Sequence, residues 1–208
     1  MDLAIIIVGI NGWERWTLPA IQSIKEHEPN ARVVVVDAAS ETPYPIEEGV
    51  QVVRLDDSPS YSYAINRGIK AAGMADWYLI LNNDIQFLEP IAEQIAKLDD
   101  SFLYGRHIIQ GNGYRWLGLW LALISSKVWE RVGEFDEGFK MCGFDDADYC
   151  IRAKHLGVDT LHVPLNIHHY EGKTRFGLPE YKKVREENAL YFVSKHGFRP
   201  DNYAVIHD

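Results

Sequence analysis

Polar residues directly follow three short apolar runs in the first half of the chain. They are Gly9 and Asn11 after the first run, Asp37 at the end of the second, and Asn82, Asn83 and Asp84 after the third. In open α/β sheets, ligands bind outside the carboxyl ends of the strands. If the apolar runs are neighbouring strands, these residues meet at one ligand-binding edge.

Asp84 and the two asparagines before it form an oxygen-rich tip. Carboxylate and amide oxygens are the ligands that Mg²⁺ and Mn²⁺ prefer, especially when the phosphates of a bound ligand complete the coordination shell. Asn and Asp are also common turn formers. The triplet by itself therefore leaves both a metal site and a simple turn open.

The densest group of acids lies in a glycine-framed stretch of the second half. Its members are Glu134, Asp136, Glu137, Asp145, Asp146 and Asp148. Asp145 and Asp146 stand at a predicted helix start, where the helix dipole favours acids. A fixed, partly exposed carboxylate is also what a general base requires. Both interpretations stay open, and so do two for His168 and His169, which are either structural or supply a neutral ring nitrogen to a metal.

The elements that must carry these residues alternate between strand and helix in the first half. Continuous β-branched runs predict buried strands, and apolar residues at helical spacing predict amphipathic helices. The strands are Leu3–Val8, Arg32–Asp37, Gly49–Leu55 and Trp77–Leu81, and the helices are Trp13–His27, with Thr17 as a candidate N-cap, and Tyr61–Ala72. This order predicts a doubly wound α/β sheet.

The second half mixes short strands with helices. The predicted helices are Leu88–Leu98, Ser126–Val132, Asp145–Leu156 and Glu180–His196, and the predicted strands are Phe102–Gln110, Leu119–Ser125 and Val158–Val163. The chain shows neither an internal repeat nor a linker rich in Gly, Pro or Ser. We therefore expect a single compact domain over residues 1–208.

The composition is that of a globular protein, with 208 residues, 47% hydrophobic and 25% charged. A net charge of −9 without a run of Lys or Arg argues against nucleic acid as a partner. It also argues against binding anionic membranes by charge alone, which leaves another peripheral membrane contact open. Two cysteines, Cys142 and Cys150, do not make a disulfide framework.

No signal region is visible, and no apolar run reaches the roughly 20 residues of a membrane-spanning helix. The expectation is a soluble, cytoplasmic protein. The chain also lacks the GxGxxG, GxxxxGK[ST] and GxSxG motifs. Their absence argues against a dehydrogenase, a P-loop NTPase and a serine hydrolase, respectively.

Six segments occur together and in one order. They are IIIVGINGWERWTLPAIQSI, VVVVDAAS, SYAINRGIKAA, WYLILNNDIQF, VGEFDEGFKMCGFDDADYCIRAKHLGV and HYEGKT. From Leu3 to about Thr174 the chain resembles the family 2 glycosyltransferases. The resemblance implies the GT-A fold, a Rossmann-like, mostly parallel sheet flanked by helices in one compact domain. It assigns a nucleotide-binding half to residues 1–88, an acceptor and catalytic half to 102–175, and a C-terminal helix to 180–197.

The resemblance implies that a nucleotide-diphosphate sugar, with a UDP- or dTDP-sugar as the guess, binds at the matching positions. The expected contact residues are Gly9, Asn11, Asp37, Asn66, Arg67, Asn83, Lys173 and Arg175. Among them, Asp37 would hydrogen-bond the base, and Lys173 and Arg175 would contact phosphates.

The resemblance also implies a metal and a base. Asp84, with Asn82 and His169, would hold Mn²⁺ or Mg²⁺ against the donor diphosphate. Asp145 and Asp146 match the acid pair that contributes the base, and Asp146 is favoured by its spacing to the residues that follow. The chain departs from the family pattern in having an amide at the first metal position and Asp-Asp in place of Glu-Asp.

The expected activity is that of a metal-dependent, inverting glycosyltransferase of hexosyltransferase type that acts on an acceptor hydroxyl of a glycan, polysaccharide or glycoconjugate. Trp116 and Trp120 are placed either against an acceptor sugar ring or in simple packing. One alternative is a nucleotidyltransferase, for which a Gly-rich basic loop would be expected early in the chain. The other is a non-catalytic nucleotide-sugar-binding or partner-dependent domain.

Overall fold

The computed structural model describes residues 1–106, 108–170, 180–199 and 203–206. Its strands, in chain order, are β1 (Leu3–Gly9), β2 (Arg32–Asp37), β3 (Val50–Arg54), β4 (Trp77–Asn82), β5 (Ile85–Phe87), β6 (Leu103–Gly105), β7 (Ile108–Gly111), β8 (Tyr114–Leu117), β9 (Leu121–Ser125), β10 (Thr160–His162), β11 (Ile167–His169) and β12 (Tyr203–Ile206). The helices are α1 (Leu18–His27), α2 (Tyr61–Ala72), α3 (Ala92–Ile95), α4 (Ser126–Val132), α5 (Asp145–His155) and α6 (Tyr181–His196).

A seven-stranded sheet in the order β10-β6-β9-β4-β1-β2-β3 organises the molecule. Strands β4, β1, β2 and β3 run parallel, whereas β9 runs antiparallel to both β4 and β6. Two smaller sheets pair β5 with β11 and β7 with β8 and β12. The predicted α/β architecture, with a mostly parallel sheet, is confirmed.

Side chains of the central strand β1 alternate between two hydrophobic layers. Ile6 faces the layer that contains α2, α4 and α5, while Ile5 faces the layer that contains α1. Both side chains are fully buried. A strand covered on both faces must be apolar along its whole length, which explains the uninterrupted run that predicted it.

Helix α2 lies unusually close to the sheet at Gly68. A Cβ at this position would come within 2.5 Å of Ile6 Cγ2 and 2.9 Å of Val36 Cγ2. The absence of a side chain therefore lets the helix pack directly on β1 and β2. This close packing fixes the position of the N-terminal turn of α2, which reaches the carboxyl edge of the sheet.

Several predicted boundaries are wrong. The start of α1 is not among them, because the helix begins at Leu18 with Thr17 at the predicted N-cap position. The Thr17 side chain makes no capping hydrogen bond, since it ends a π-helical turn, Trp13–Thr17, and its hydroxyl bonds other partners. The helix predicted over 88–98 shortens to the single turn α3, and the strand predicted over 102–110 divides into β6 and β7. Strands β5, β8, β11 and β12 were not predicted, since three- and four-residue strands depend on pairing partners rather than on a local pattern.

Candidate active site

Strand β11 brings His169 to Asp84 at the carboxyl edge of the sheet. β11 pairs antiparallel with β5, which begins directly after Asp84, and the backbone N–H of Tyr170 donates to the Asp84 carbonyl at 2.9 Å. As a result His169 Nε2 lies 3.2 Å from Asp84 Oδ1. Asp84 is 4% exposed, so the carboxylate lies in a largely enclosed position.

Two further side chains fix the His169 ring. The Trp120 ring stacks on it with a centroid distance of 4.5 Å and an interplanar angle of 4°. Asn82 Nδ2 lies 3.3 Å from His169 Nε2, because Asn82 Oδ1 accepts a hydrogen bond from the Tyr61 hydroxyl at 2.8 Å. Asn82 thus turns its NH₂ group toward the histidine, and its oxygen is taken by Tyr61. Trp120 packs on this histidine.

The antiparallel strand β9 explains how Trp120 reaches the site. Because β9 runs against β4, its start lies beside the end of β4, and the backbone N–H of Asn82 donates to the Trp120 carbonyl at 3.1 Å. The Tyr61 hydroxyl also approaches the Leu119 carbonyl at 3.3 Å. Reversal of a single strand therefore adds the segment before β9 to the edge where the parallel strands end.

Asp84 and His169 suit a divalent cation that is also held by a ligand. Two atoms in adjacent positions on a cation at about 2.1 Å lie about 3 Å apart, close to the observed 3.2 Å. No group of three or more His, Cys, Asp or Glu side chains within the described residues is arranged to hold a metal. Phosphate oxygens would have to complete the shell, which is the usual way in which proteins bind Mg²⁺.

Two adjacent carboxylates at the start of α5 have different environments. Asp145 is 3% exposed and accepts hydrogen bonds from the Gly143 N–H at 3.0 Å and from Ser62 Oγ at 3.2 Å. Burial raises the pKa of Asp145 above its ordinary value, although these hydrogen bonds oppose the shift. Asp146 is half-buried, and its Oδ1 accepts from the N–H of Ala147 at 2.8 Å. Asp146 is thus the more accessible carboxylate of the pair.

The loop before α5 has a backbone that L-amino acids rarely adopt. The φ angles are +52° at Met141, +114° at Gly143 and +69° at Phe144. Bulky residues at positive φ are outliers, and such strain persists only where the surroundings hold it. One holding contact is a bridge to the chain before α2, in which Met141 N–H donates to the Pro59 carbonyl at 2.7 Å and Tyr61 N–H donates to the Met141 carbonyl at 2.6 Å.

Tyr61 joins the two carboxylate regions, and sequence reasoning did not identify it. Its hydroxyl bonds Asn82 on the Asp84 side, and its backbone bonds Met141 on the α5 side. Burial and then the negative charges of Asp145 and Asp84 raise the pKa of Tyr61, so its hydroxyl remains a donor. The signal available in the sequence was its place in the first turn of a helix that follows a strand of an α/β sheet.

Asp37 is enclosed by the loop that follows β2. Its Oδ1 accepts from Ser40 N–H at 2.9 Å, and its Oδ2 accepts from Tyr44 N–H at 2.9 Å and from Arg54 at 2.7 Å. The side chain has no exposed surface. Burial acts to raise the pKa of Asp37, but these hydrogen bonds outweigh it and hold the pKa below the ordinary value. A ligand reaches this carboxylate only if the loop moves.

The neighbouring predicted residues Gly9, Asn11 and Asn83 are brought together around Tyr44. The Tyr44 hydroxyl donates to the Asn11 carbonyl at 2.7 Å, and a Cβ on Gly9 would lie 2.8 Å from both that hydroxyl and Asn83 Nδ2. Asn83 donates in turn to Thr17 Oγ1 at 3.0 Å. Asn11 itself is exposed at φ +56° and accepts from Glu41 N–H at 2.9 Å. These contacts join the segments that follow β1, β2 and β4 into one wall.

Asn66 and Arg67 bond the segment after α4. Asn66 is 3% exposed, exchanges hydrogen bonds of 2.9 and 3.0 Å with the main chain of Phe135, and donates to Glu137 at 2.9 Å. Arg67 pairs with the same Glu137 carboxylate at 3.0 Å. The structure does not bring either of them into hydrogen-bond contact with Asp37, Asp84 or Asp146.

Two predicted phosphate contacts, Lys173 and Arg175, lie outside the described residues, in 171–179. Among the helices that the structure describes, none is both long and apolar enough to span a membrane.

Solved structures with a similar fold include glycosyltransferases. GalNAc-T7 in complex with UDP, GalNAc and Mn²⁺ matches 94% of the chain with a TM-score of 0.68 at 15% identity. The mannosyltransferase PcManGT from Pyrobaculum calidifontis, in complex with GDP-Man and Mn²⁺, matches 96% with a TM-score of 0.68 at 15% identity. TarS from S. aureus matches 93% with a TM-score of 0.61 at 14% identity. The fold is that of the GT-A transferases, as predicted.

The family model for glycosyl transferase family 2 matches residues 4–152, which is most of the chain. The chain belongs to this family of glycosyltransferase enzymes. No curated protein matches it by sequence. The chain spans 50% of the length of GalNAc-T7, 66% of PcManGT and 40% of TarS.

Proposed function

We propose that this protein is a metal-dependent, inverting glycosyltransferase that moves a sugar from a nucleoside-diphosphate donor to an acceptor hydroxyl. The observation that carries the proposal is the link through Tyr61 between a cation-compatible pair, Asp84 and His169, and the accessible carboxylate region of Asp146. The complexes of the two neighbours with UDP or GDP-Man and Mn²⁺ support a donor and a metal of these classes.

Asp146 is proposed as the general base. It accepts the proton of the acceptor hydroxyl while the acceptor oxygen forms its bond to the anomeric carbon and the bond from that carbon to the diphosphate oxygen breaks. A single displacement of this kind inverts the anomeric configuration. Asp145 suits the role less well, because its burial and its bonds to Gly143 and Ser62 keep it from an acceptor.

Asp84 and His169 are proposed to hold the cation. A bound divalent cation supplies Lewis-acid stabilisation of the negative charge that grows on the leaving diphosphate. Trp120 holds the His169 ring by stacking. The Asn82 NH₂ group lies 3.3 Å from His169 Nε2 and would have to turn away from this nitrogen when a cation binds it. Lys173 and Arg175 remain proposed contacts to the donor phosphates.

The wall formed by Gly9, Asn11 and Asn83 is proposed to line the nucleoside pocket. Asp37 serves this pocket by fixing the loop that carries Ser40 and Tyr44, because its oxygens bond that loop. Asn66 and Arg67 remain proposed donor contacts, and in the structure they bond the segment after α4. A uridine or thymidine diphosphate remains the proposed donor nucleotide.

Substitution of Asp146 by Asn tests the proposal. Transfer from a panel of UDP-, GDP- and dTDP-sugars with Mn²⁺ should fall about 10²–10⁴-fold, the usual contribution of a general base. Calorimetry should show unchanged donor-nucleotide binding, since the substitution leaves Asp84 and His169 in place. Asp159→Asn, at an exposed position on a neighbouring segment, is the matched control and should keep full activity.

Full transfer activity in Asp146→Asn would remove Asp146 from its role as the base. Product analysis by NMR checks the stereochemistry, and retention of the anomeric configuration would contradict the single displacement. Release of pyrophosphate from a nucleoside triphosphate and a sugar phosphate, without sugar transfer, would instead assign a nucleotidyltransferase.

A further inference from the structure

Asn188 on α6 bonds the main chain of the loop before α5. It is 1% exposed, and its Oδ1 accepts from the N–H of Lys140 at 2.9 Å. Its Nδ2 donates to the carbonyls of Lys140 at 2.8 Å, Gly143 at 3.2 Å and Cys142 at 3.4 Å. A single buried amide therefore uses its acceptor and its donors on one short segment.

This segment has the positive φ angles that make the approach to Asp145 and Asp146 unusual. Met141 and Phe144 are bulky residues in the left-handed region, so the loop relaxes unless it is held from outside. The bridge from Pro59 and Tyr61 holds one side of Met141. Asn188 donates to the carbonyls of Lys140 and Cys142, which lie on the two sides of Met141.

Side chains of α6 make further contacts with side chains of this loop. Glu187 pairs with Lys140 at 2.9 Å on the surface, and the Arg185 guanidinium lies 4.7 Å from the centroid of the Phe144 ring. Phe192 packs 6.2 Å from the same ring. These contacts bring the helix to the loop, whereas the hydrogen bonds of Asn188 determine the course of the backbone that leads into α5.

We infer that Asn188 is a positioning residue for the carboxylate of Asp146. The inference rests on the proposed function, since it assigns to Asn188 the task of keeping the base at the distance that proton transfer requires. A carboxylate at a helix start follows the direction of its first turn, and that direction depends on the backbone of 140–144. A displacement of about 1 Å at a reacting group is enough to cost about 10²-fold in rate.

The test compares Asn188→Ala with Ala189→Gly, which also weakens α6 but removes no bond to the loop. Ala189 is 1% exposed in the same helical turn, so the pair is matched in burial. We expect kcat to fall about 10²-fold in Asn188→Ala with the donor KM unchanged. Ala189→Gly should keep its kcat at temperatures below its Tm. The kcat is expressed per folded, active enzyme, because a lower active fraction by itself lowers the apparent kcat at constant KM. A role in stability alone would lower Tm and the active fraction and leave kcat per active enzyme at the wild-type value.

A second variant and a second measurement guard against misfolding. Asn188→Leu removes the polar atoms with little change in volume, so it neither opens a cavity nor buries a charge. Hydrogen exchange of the peptide over 138–146 should be faster in both Asn188 variants than in the wild type and in Ala189→Gly. An unchanged exchange rate there would overturn the assignment.

The outcomes separate this inference from the proposed function. If the wild type transfers sugar and the Asn188 variants lose no more kcat than Ala189→Gly, the assignment of Asn188 is wrong and the proposed function stands. If the wild type transfers no sugar from any donor of the panel, the proposed function is wrong. The exchange measurement then still decides whether Asn188 holds the loop.

Discussion

At the scale of single residues, the carboxylate of Asp37 is held by hydrogen bonds from its own chain. Three hydrogen bonds from Ser40, Tyr44 and Arg54 converge on it, and they lower its pKa despite its burial. A carboxyl group with a lowered pKa in the folded state stabilises the fold at pH values above its unfolded pKa. That contribution is lost as the pH falls through the folded pKa.

Asp37→Asn should therefore destabilise the protein by about 2 kcal/mol near neutral pH, because the charged acceptor of these hydrogen bonds is lost. The difference from the wild type should narrow as the pH falls from the ordinary value of 3.8 through the lower pKa of the folded state, since the unfolded wild-type chain takes up a proton in this range. Urea unfolding of the variant and the wild type at neutral and at acid pH measures the difference in free energy of unfolding under each condition. Glu41→Gln, exposed in the same loop, should unfold like the wild type. An equal loss at both pH values would contradict the role of the charge.

The chemistry-bearing residue types were readable in the sequence, but their contacts were not. Asp84, Asp145 and Asp146 stand after a strand or before a helix, so their local setting predicted where they would lie. The link through Tyr61 depends on pairs that are far apart in the chain, and no local pattern encodes them. The same is true of the amide orientation at Asn82, which is set by the Tyr61 hydroxyl.

At the scale of elements, the packing of α2 on the sheet depends on Gly68. In Gly68→Ala the new methyl group overlaps the side chains of Ile6 and Val36. Both are β-branched residues in buried strands of the sheet, so they have little room to move. We expect a net loss of about 1–2 kcal/mol in the free energy of unfolding, because overpacking outweighs the better helix propensity of alanine. Thermal denaturation of the variant and the wild type measures this loss of stability. Lys70→Ala on the exposed face of α2 should stay within about 0.5 kcal/mol of the wild type. A stabilised Gly68→Ala would show that helix propensity dominates.

Elements with a strong local pattern were predicted closely, as β2 and α2 show. Within β2, Val33–Val36 is apolar throughout because both faces of the strand are covered, and Tyr61–Ala72 carries its apolar residues at helical spacing. The helix predicted over 88–98 failed for the opposite reason. Its apolar residues serve packing under the sheet, as Ile91 and Ile95 do, without requiring a continuous helix.

At the scale of the whole molecule, the proposed function brings together a chain with a net charge of −9 and a negatively charged nucleoside diphosphate. Its described residues offer a cation two good ligands, Asp84 and His169, rather than a complete set. Cation and nucleotide should therefore bind together and each weakly alone. The acidic balance of the chain would then not oppose the diphosphate, because a cation held by Asp84 and His169 would offset the negative charge.

A nucleoside diphosphate with Mn²⁺ should accordingly stabilise the protein more than either component alone. At a ligand concentration 100-fold above Kd, the gain is about 2.7 kcal/mol, which raises Tm by about 5–10 °C for a chain of this size. Thermal-shift measurements with UDP, GDP and dTDP, with and without Mn²⁺, check it. Asp84→Ala should lose the joint effect, while Asp159→Asn should retain it. A full shift in Asp84→Ala would place the cation elsewhere.

The contact between Asn188 and the 140–143 loop also bears on when the site is completed during synthesis. A nascent chain exposes its amino-terminal segments first, and these begin to fold while the remainder is still being translated. The ribosome releases the carboxylates of α5 well before the helix that holds the loop in front of them. Until α6 has emerged and docked, the chain contains the residue types of the site without their geometry. Competence for catalysis therefore requires the synthesis of α6 as well as of α5.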